Sequence, residues 1–162
     1  IPADVWSDVK KSSIALFLGE MMTSVLKEES PQPEMFDFIE SSVIYFNGIR
    51  SSFSNFHIAF LIGLCSYLGF EPGTRTSGDD RYFDLENGRF VSLPPVHGNY
   101  LIPEISEVLA RFFRASYDQA STIPLTGALR NEVLDAIIRY YSVHLPGLKK
   151  INSLEVLKEI FR

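Results

Sequence analysis

Apolar residues recur at intervals of three and four over most of the chain, and the pattern breaks once. From Asp8 to Glu29, Val9, Ile14, Leu16, Phe17, Leu18, Met21, Met22, Val25 and Leu26 fall at helical spacing. Ser7 or Asp8 can cap that helix, and Pro31 and Pro33 end it. Pro33 also suits the first position of a second helix running to about Asn47, which Gly48 stops. Ser51–Asn55 reads as a capping cluster for a third helix through Leu68, closed by Gly69. This third helix is apolar on most of its surface (Phe56, Ile58, Phe60, Leu61, Ile62, Leu64, Leu68), which predicts the central, buried position.

The character then changes. Glu71–Asp80 is polar, with Pro72, Gly73, Thr74, Ser77 and Gly78, and reads as a mobile loop. Tyr82–Leu85 and Arg89–Ser92 flank Glu86-Asn87-Gly88, a hairpin signal. Helices resume over Glu104–Arg114, with Ile105, Val108, Leu109, Phe112 and Phe113 on one stripe. After a loop around Ser121–Pro124 they continue from Thr126 to about Val143, and a short last helix runs from Asn152 to near Phe161. The predicted fold is mostly α, a bundle of about six helices with one inserted β-hairpin.

The 162 residues suffice for one domain with a real core, and 46% hydrophobic with 22% charged residues is ordinary globular usage. The net charge of −5 argues against a chain built as a whole to attract nucleic acid, but the charge divides unevenly. Residues 1–110 hold 7 Lys/Arg against 15 Asp/Glu; residues 111–162 hold 8 against 5. The second part is therefore a candidate basic face. No signal peptide and no stretch of roughly 18–20 apolar residues is visible, which predicts a cytoplasmic location without a membrane partner. A start at Ile1 is expected to leave an upstream domain outside this chain.

Candidate chemistry is sparse. Cys65 is the single cysteine, which excludes an internal disulfide and a multi-cysteine zinc site; mid-helix, it reads as a buried structural thiol. His57 reads as a boundary histidine of the third helix and His144 as a helix C-terminal one. Gly73–Gly78 has the outer glycine spacing of a phosphate loop, but Asp79 stands where lysine is required. A hydrolase using His97 with Asp79 or Asp84 lacks a nucleophile motif. Most of the 13 Phe, 7 Tyr and one Trp fall at core spacing, leaving Tyr100, Tyr117 and Tyr140 as candidates for base stacking.

Lys11–Glu20, the central run Asn55–Pro72 with its Leu68-Gly69-Phe70 ending, the hairpin Tyr82–Val91 and the tail His144-Leu-Pro-Gly147 with Ser153–Leu157 carry a resemblance. In their order and spacing, the chain resembles the C-terminal helical domain of the RecO recombination mediators, in a Bacteroidetes-like form. The resemblance implies a non-enzymatic domain. An N-terminal oligonucleotide-binding barrel, absent here, would hold single-stranded DNA. The helical part would bind RecR and the acidic, apolar-ended tail of single-stranded DNA-binding protein, supporting strand annealing and RecA loading. Many members carry a four-cysteine zinc module around the hairpin. Residues 73–78 and 92–96 hold no cysteine, so residues 71–100 would be a loop and hairpin in its place, with no zinc or other cofactor. The alternative is a helical interaction or ligand-sensing module of a regulator.

An acidic tail with a terminal carboxylate needs an apolar pocket with a basic rim. Arg111, Arg114, Arg130 and Arg139 are the rim candidates, with Arg50 and His57 beside the start of the central helix. Replacing Arg130 or Arg139 by alanine is expected to weaken the tail.

Overall fold

The computed structural model describes residues 8–26 and 32–162. Among them are seven helices and one small sheet. The helices are α1 (Val9–Val25), α2 (Pro33–Gly48), α3 (Phe56–Leu68), α4 (Pro103–Phe112), α5 (Tyr117–Ser121), α6 (Gly127–His144) and α7 (Ser153–Ile160). The strands are β1 (Tyr82–Asp84), β2 (Arg89–Val91) and β3 (Tyr100–Leu101), antiparallel in the order β2-β1-β3. Ser7 and the end of the expected first helix, Lys27–Glu29, lie outside the described residues.

The central position of α3 follows from its composition. With apolar side chains on nearly every face, it is satisfied only by neighbours all round. It packs against α2, α4, α5 and α6, and Ile58, Leu61 and Leu64 are fully buried. Two tyrosines of α6 pin it: Tyr141 Oη donates to Leu61 O at 2.6 Å, and Tyr140 Oη to Phe70 O at 2.7 Å. Buried Cys65 turns its Sγ back to Leu61 O, and burial pushes the thiol up to about 12.

Four local features differ from the sequence pattern. The Ser51–Asn55 cluster gives α3 no side-chain cap. Asn55 instead donates to Ala120 O and Ile123 O, at 3.0 and 2.9 Å, tying α3 to the loop after α5. The helix α5 occupies part of what reads as loop, held by a capping box between Ser116 and Gln119. The strand β3 extends the hairpin to three strands. Finally, the segment 71–80 is tied rather than loose: Gly73 N donates to Gly88 O at 2.7 Å, and Arg75 meets Glu107 at 2.7 Å while lying over the Phe90 ring.

The hairpin loop is four residues, Leu85–Gly88, because Asp84 pairs with Arg89. Gly88 takes φ +61, and a Cβ there would stand 2.6 Å from Tyr140 Oη, so both backbone and space demand glycine.

Candidate partner-docking site

The six residues singled out above do not gather into one place. His57 is 1% exposed, with its ring between those of Phe17 and Phe161 at 6.2 and 5.9 Å, and its Nδ1 has no hydrogen-bond partner. Burial, and secondarily the charge of Arg130, lowers its pKa to about 3, so it is a neutral core ring with no access to a rim. Half-buried Arg130 donates from Nε to Asn55 Oδ1 and from Nη2 to Leu125 O, at 3.0 and 3.1 Å, and covers the Phe161 ring at 5.6 Å. Its guanidinium is engaged in joining α3, α6 and α7. Arg139 is exposed, but its fork closes on Asn99 Oδ1 at 3.0 and 2.6 Å, in a groove shared with Glu132 and Asp135. Arg50 is exposed just past the end of α2.

Arg111 and Arg114 remain, three residues apart at the end of α4 and both exposed. Arg111 makes only a long contact, 3.9 Å, to Glu107. Arg114 stands at the mouth of a cavity of about 150 Å³. One wall is a face of α3 built from Ala59, Ile62, Gly63 and Ser66; the facing wall is Phe112 and Phe113, and Pro72 and Thr74 close the side. Residues three and four apart share a helix face, which is why these four α3 residues line one hollow together. Cavities of this volume hold a benzene-sized group. Arg114 has φ +61, a left-handed conformation that costs a non-glycine residue of order 1 kcal/mol and concentrates at ligand sites. Exposed Glu71 is the one carboxylate lining the cavity.

The hairpin loop holds the densest polar cluster. The buried Asp84 carboxylate accepts from Glu86 N, Asn87 N and Asn87 Nδ2 at 2.8–3.1 Å, and His97 Nε2 lies 3.1 Å from Oδ1. Burial raises its pKa, but those donors outweigh burial and leave it below the usual carboxylate value. His97 Nδ1 accepts from Asn99 N at 2.9 Å. Both ring nitrogens are thus held by partners of the hairpin and the loop that follows it. The lone cysteine is buried on α3, and among the described residues no group of three His, Cys, Asp or Glu is placed to hold a metal ion.

The three tyrosines left open for stacking are differently placed. Tyr140 is buried and bonded, Tyr117 stacks on Tyr45 at 4.9 Å, and Tyr100 meets Tyr82 edge-on. His144 donates from Nε2 to Leu85 O at 2.9 Å and stacks on Phe70. No helix among the described residues is long and apolar enough to cross a membrane.

The chain is similar to curated proteins carrying the name DNA repair protein RecO. The protein of Phocaeicola vulgatus is 36% identical over 154 residues, covering 95% of this chain and 64% of the relative. That of Azobacteroides pseudotrichonymphae is 34% identical over 151 residues, 93% of this chain and 63% of the relative. That of Porphyromonas gingivalis W83 is 33% identical over 159 residues, 97% and 65%. The chain thus spans a little under two thirds of their length. No solved structure matches it significantly. The family model described as recombination protein O C terminal matches residues 7–155, nearly the whole chain, and the chain belongs to that family of DNA-repair proteins.

Proposed function

We propose that this chain is the partner-docking part of a non-enzymatic recombination mediator, and that it takes the acidic C-terminal tail of single-stranded DNA-binding protein in the cavity beside Arg114. The observation that carries the reading is one arrangement. An arginine held in a left-handed backbone conformation lines a hollow of about 150 Å³ whose walls are part apolar (Ala59, Ile62, Phe112, Phe113) and part polar (Ser66, Thr74). A terminal aromatic or aliphatic side chain fills such a hollow, and a guanidinium at its mouth takes the terminal carboxylate in a two-pronged hydrogen bond. Arg111 adds positive charge for the acidic residues that precede it. The groove of Arg139 is a poorer host, since Glu132 and Asp135 repel an acidic peptide.

The rest of the reading rests on the family. Contacts with RecR, strand annealing and RecA loading belong to the whole protein, with single-stranded DNA held mainly by an oligonucleotide-binding barrel outside this chain. Residues 71–100 take the place of a zinc module, with the Asp84 cluster holding the hairpin, and the protein works in the cytoplasm.

The test is a fluorescence-anisotropy titration with a peptide matching the acidic tail. Two controls accompany it, one lacking the terminal hydrophobic residue and one with its terminal carboxylate amidated. Saturable binding that both controls lose is expected, and Arg114→Ala is expected to weaken it about tenfold, near the 1.4 kcal/mol of one charge-assisted contact. Unchanged affinity in Arg114→Ala removes the cavity from the site.

A further inference from the structure

The outer face of α2 carries three exposed apolar side chains, among them an exposed phenylalanine. Phe36 is 67% exposed, Ile44 66% and Val43 39%. At 100° per residue these three fall within an arc of about 100°. Glu40 falls within this arc and Asp37 about 20° beyond its edge, while Glu34 lies farther round the helix; all three acids are exposed. No lysine or arginine occurs between Lys27 and Arg50, while five acids do. A stripe of this kind is unusual on a closed surface, where a phenylalanine generally finds cover.

The stripe borders a hollow. Between α1, α2 and α3 lies a cavity of about 150 Å³, walled by Ala15, Leu18, Met22, Val43, Phe46 and Phe60. Val43 belongs to both, so the exposed stripe meets the hollow there, with Asn47 as the polar residue of the lining. The cation nearest its far end, Lys11, is buried, with Nζ turned to Asn47 O and Ile49 O. Arg50 lies past the end of α2.

We infer that this face docks a basic, amphipathic helix of a partner protein, whose apolar stripe covers Phe36, Val43 and Ile44 and lodges one side chain in the hollow, while its lysines or arginines meet Glu40 and Asp37. Charge decides the occupant. An acidic tail or a nucleic acid strand is repelled by a face whose only charges are carboxylates. A second copy packing α2 against α2 brings four carboxylates together. A basic helix gains both terms: burial of the apolar stripe and charge complementarity, which sets the partner and speeds encounter. This surface is distinct from the cavity at Arg114 and opposite to it in sign, so the molecule has two docking sites for two kinds of partner.

The probe is a labelled 18-residue helical peptide with leucines at i, i+3, i+4 and i+7 spacing and lysines on the flanks. One control has the same composition with the leucines scrambled, so that charge is kept and the stripe is lost. Saturable binding of the first peptide, at least tenfold tighter than the scrambled one, is expected. Phe36→Ser and Ile44→Ser, both surface changes whose folding circular dichroism checks, are each expected to weaken it at least fivefold. Glu40→Lys is expected to do the same and Arg114→Ala to leave it unchanged. Equal binding of the scrambled peptide overturns the proposal, because it reports charge alone. So does affinity unchanged by the serine variants. Concentration-dependent dimerisation lost in Phe36→Ser overturns it in favour of a second copy.

Discussion

His57 occupies the second position of α3, where leucine would bury as well and leave no nitrogen unpaired. A buried polar atom without a partner costs about 1–3 kcal/mol. In the unfolded chain the imidazole takes up a proton near its ordinary value of 6.5, whereas in the folded protein it does so only near pH 3. Below about pH 6.5 the unfolded state therefore binds more protons than the native one, and stability falls as pH falls. The shift implies a loss of about 2 kcal/mol between neutral pH and pH 5. Urea melts at pH 7.5, 6 and 5 measure it. In His57→Leu the part of the acid dependence between pH 6.5 and 5 is expected to vanish, whatever the variant's absolute stability. A slope there equal to that of the unsubstituted chain sinks this account. The sequence displays His57 as a helix-boundary residue, and it displays Asn55 as a cap and Arg130 as a surface cation. Each of these readings is locally sound. Tertiary contacts override all three, because burial supplies Asn55 with carbonyls on another element and Arg130 with Asn55, neither of which is near in the sequence.

The elements themselves are largely legible, because their signals are local. The apolar period sets α1, α2, α3, α4 and α6 to within a few residues, and Thr126 caps α6 through Leu129 N. Where the sequence runs out, the missing partner lies far along the chain. The strand β3 is two residues long, too short for any period, and exists only because Asp84 and Phe83 face Tyr100 and Leu101. The Ser116–Gln119 capping box is a written signal that a five-residue helix without an apolar period obscures. The start of α7 is the clearest case. Ser153 begins no capping box, and Asn152 makes no side-chain cap. Glu20 of α1 does the work from 132 residues away, accepting from Asn152 N, Ser153 N and Ser153 Oγ, at 2.5–2.8 Å. Those hydrogen bonds hold its pKa below the usual carboxylate value. An anionic cap at a helix N-terminus also meets the favourable end of the dipole. Glu20→Ala is therefore expected to speed amide hydrogen exchange through residues 153–160, with the α3 amides unchanged at neutral pH. Glu20→Gln is expected to recover part of the protection, because an amide oxygen still accepts. Equal protection of α7 in all three proteins means that packing alone holds it.

At the scale of the molecule, charge was the most readable property and the site the least. The division into an acidic first part and a basic second part is a count, but which arginine faces a hollow depends on how α3, α4 and the segment 71–80 meet. One trace was present. Ala59, Ile62, Gly63 and Ser66 fall on a single face of α3, and that face lines the hollow. The closure of the fold is another property no local pattern carries: α1 and α7 pack together, and Phe161 is set between His57 and the guanidinium of Arg130. A Cβ on Gly127 would run into the Phe161 carbonyl, so the first turn of α6 is shaped to receive this end of α7. Phe161 is 5% exposed, and truncating a buried phenylalanine costs about 3–5 kcal/mol. Phe161→Ala is accordingly expected to lower the urea midpoint strongly, and Phe161→Leu, which keeps an apolar plug, to lower it less. The slope of the transition separates two architectures. If α7 shares one cooperative unit with the bundle, the midpoint moves and the slope stays, because the same surface is exposed on unfolding. A reduced slope with the main midpoint unmoved instead reports a helix that leaves before the bundle melts. The ring contacts of Phe161 with His57 on α3 and Arg130 on α6 favour the first outcome, since losing them loosens two helices of the core at once.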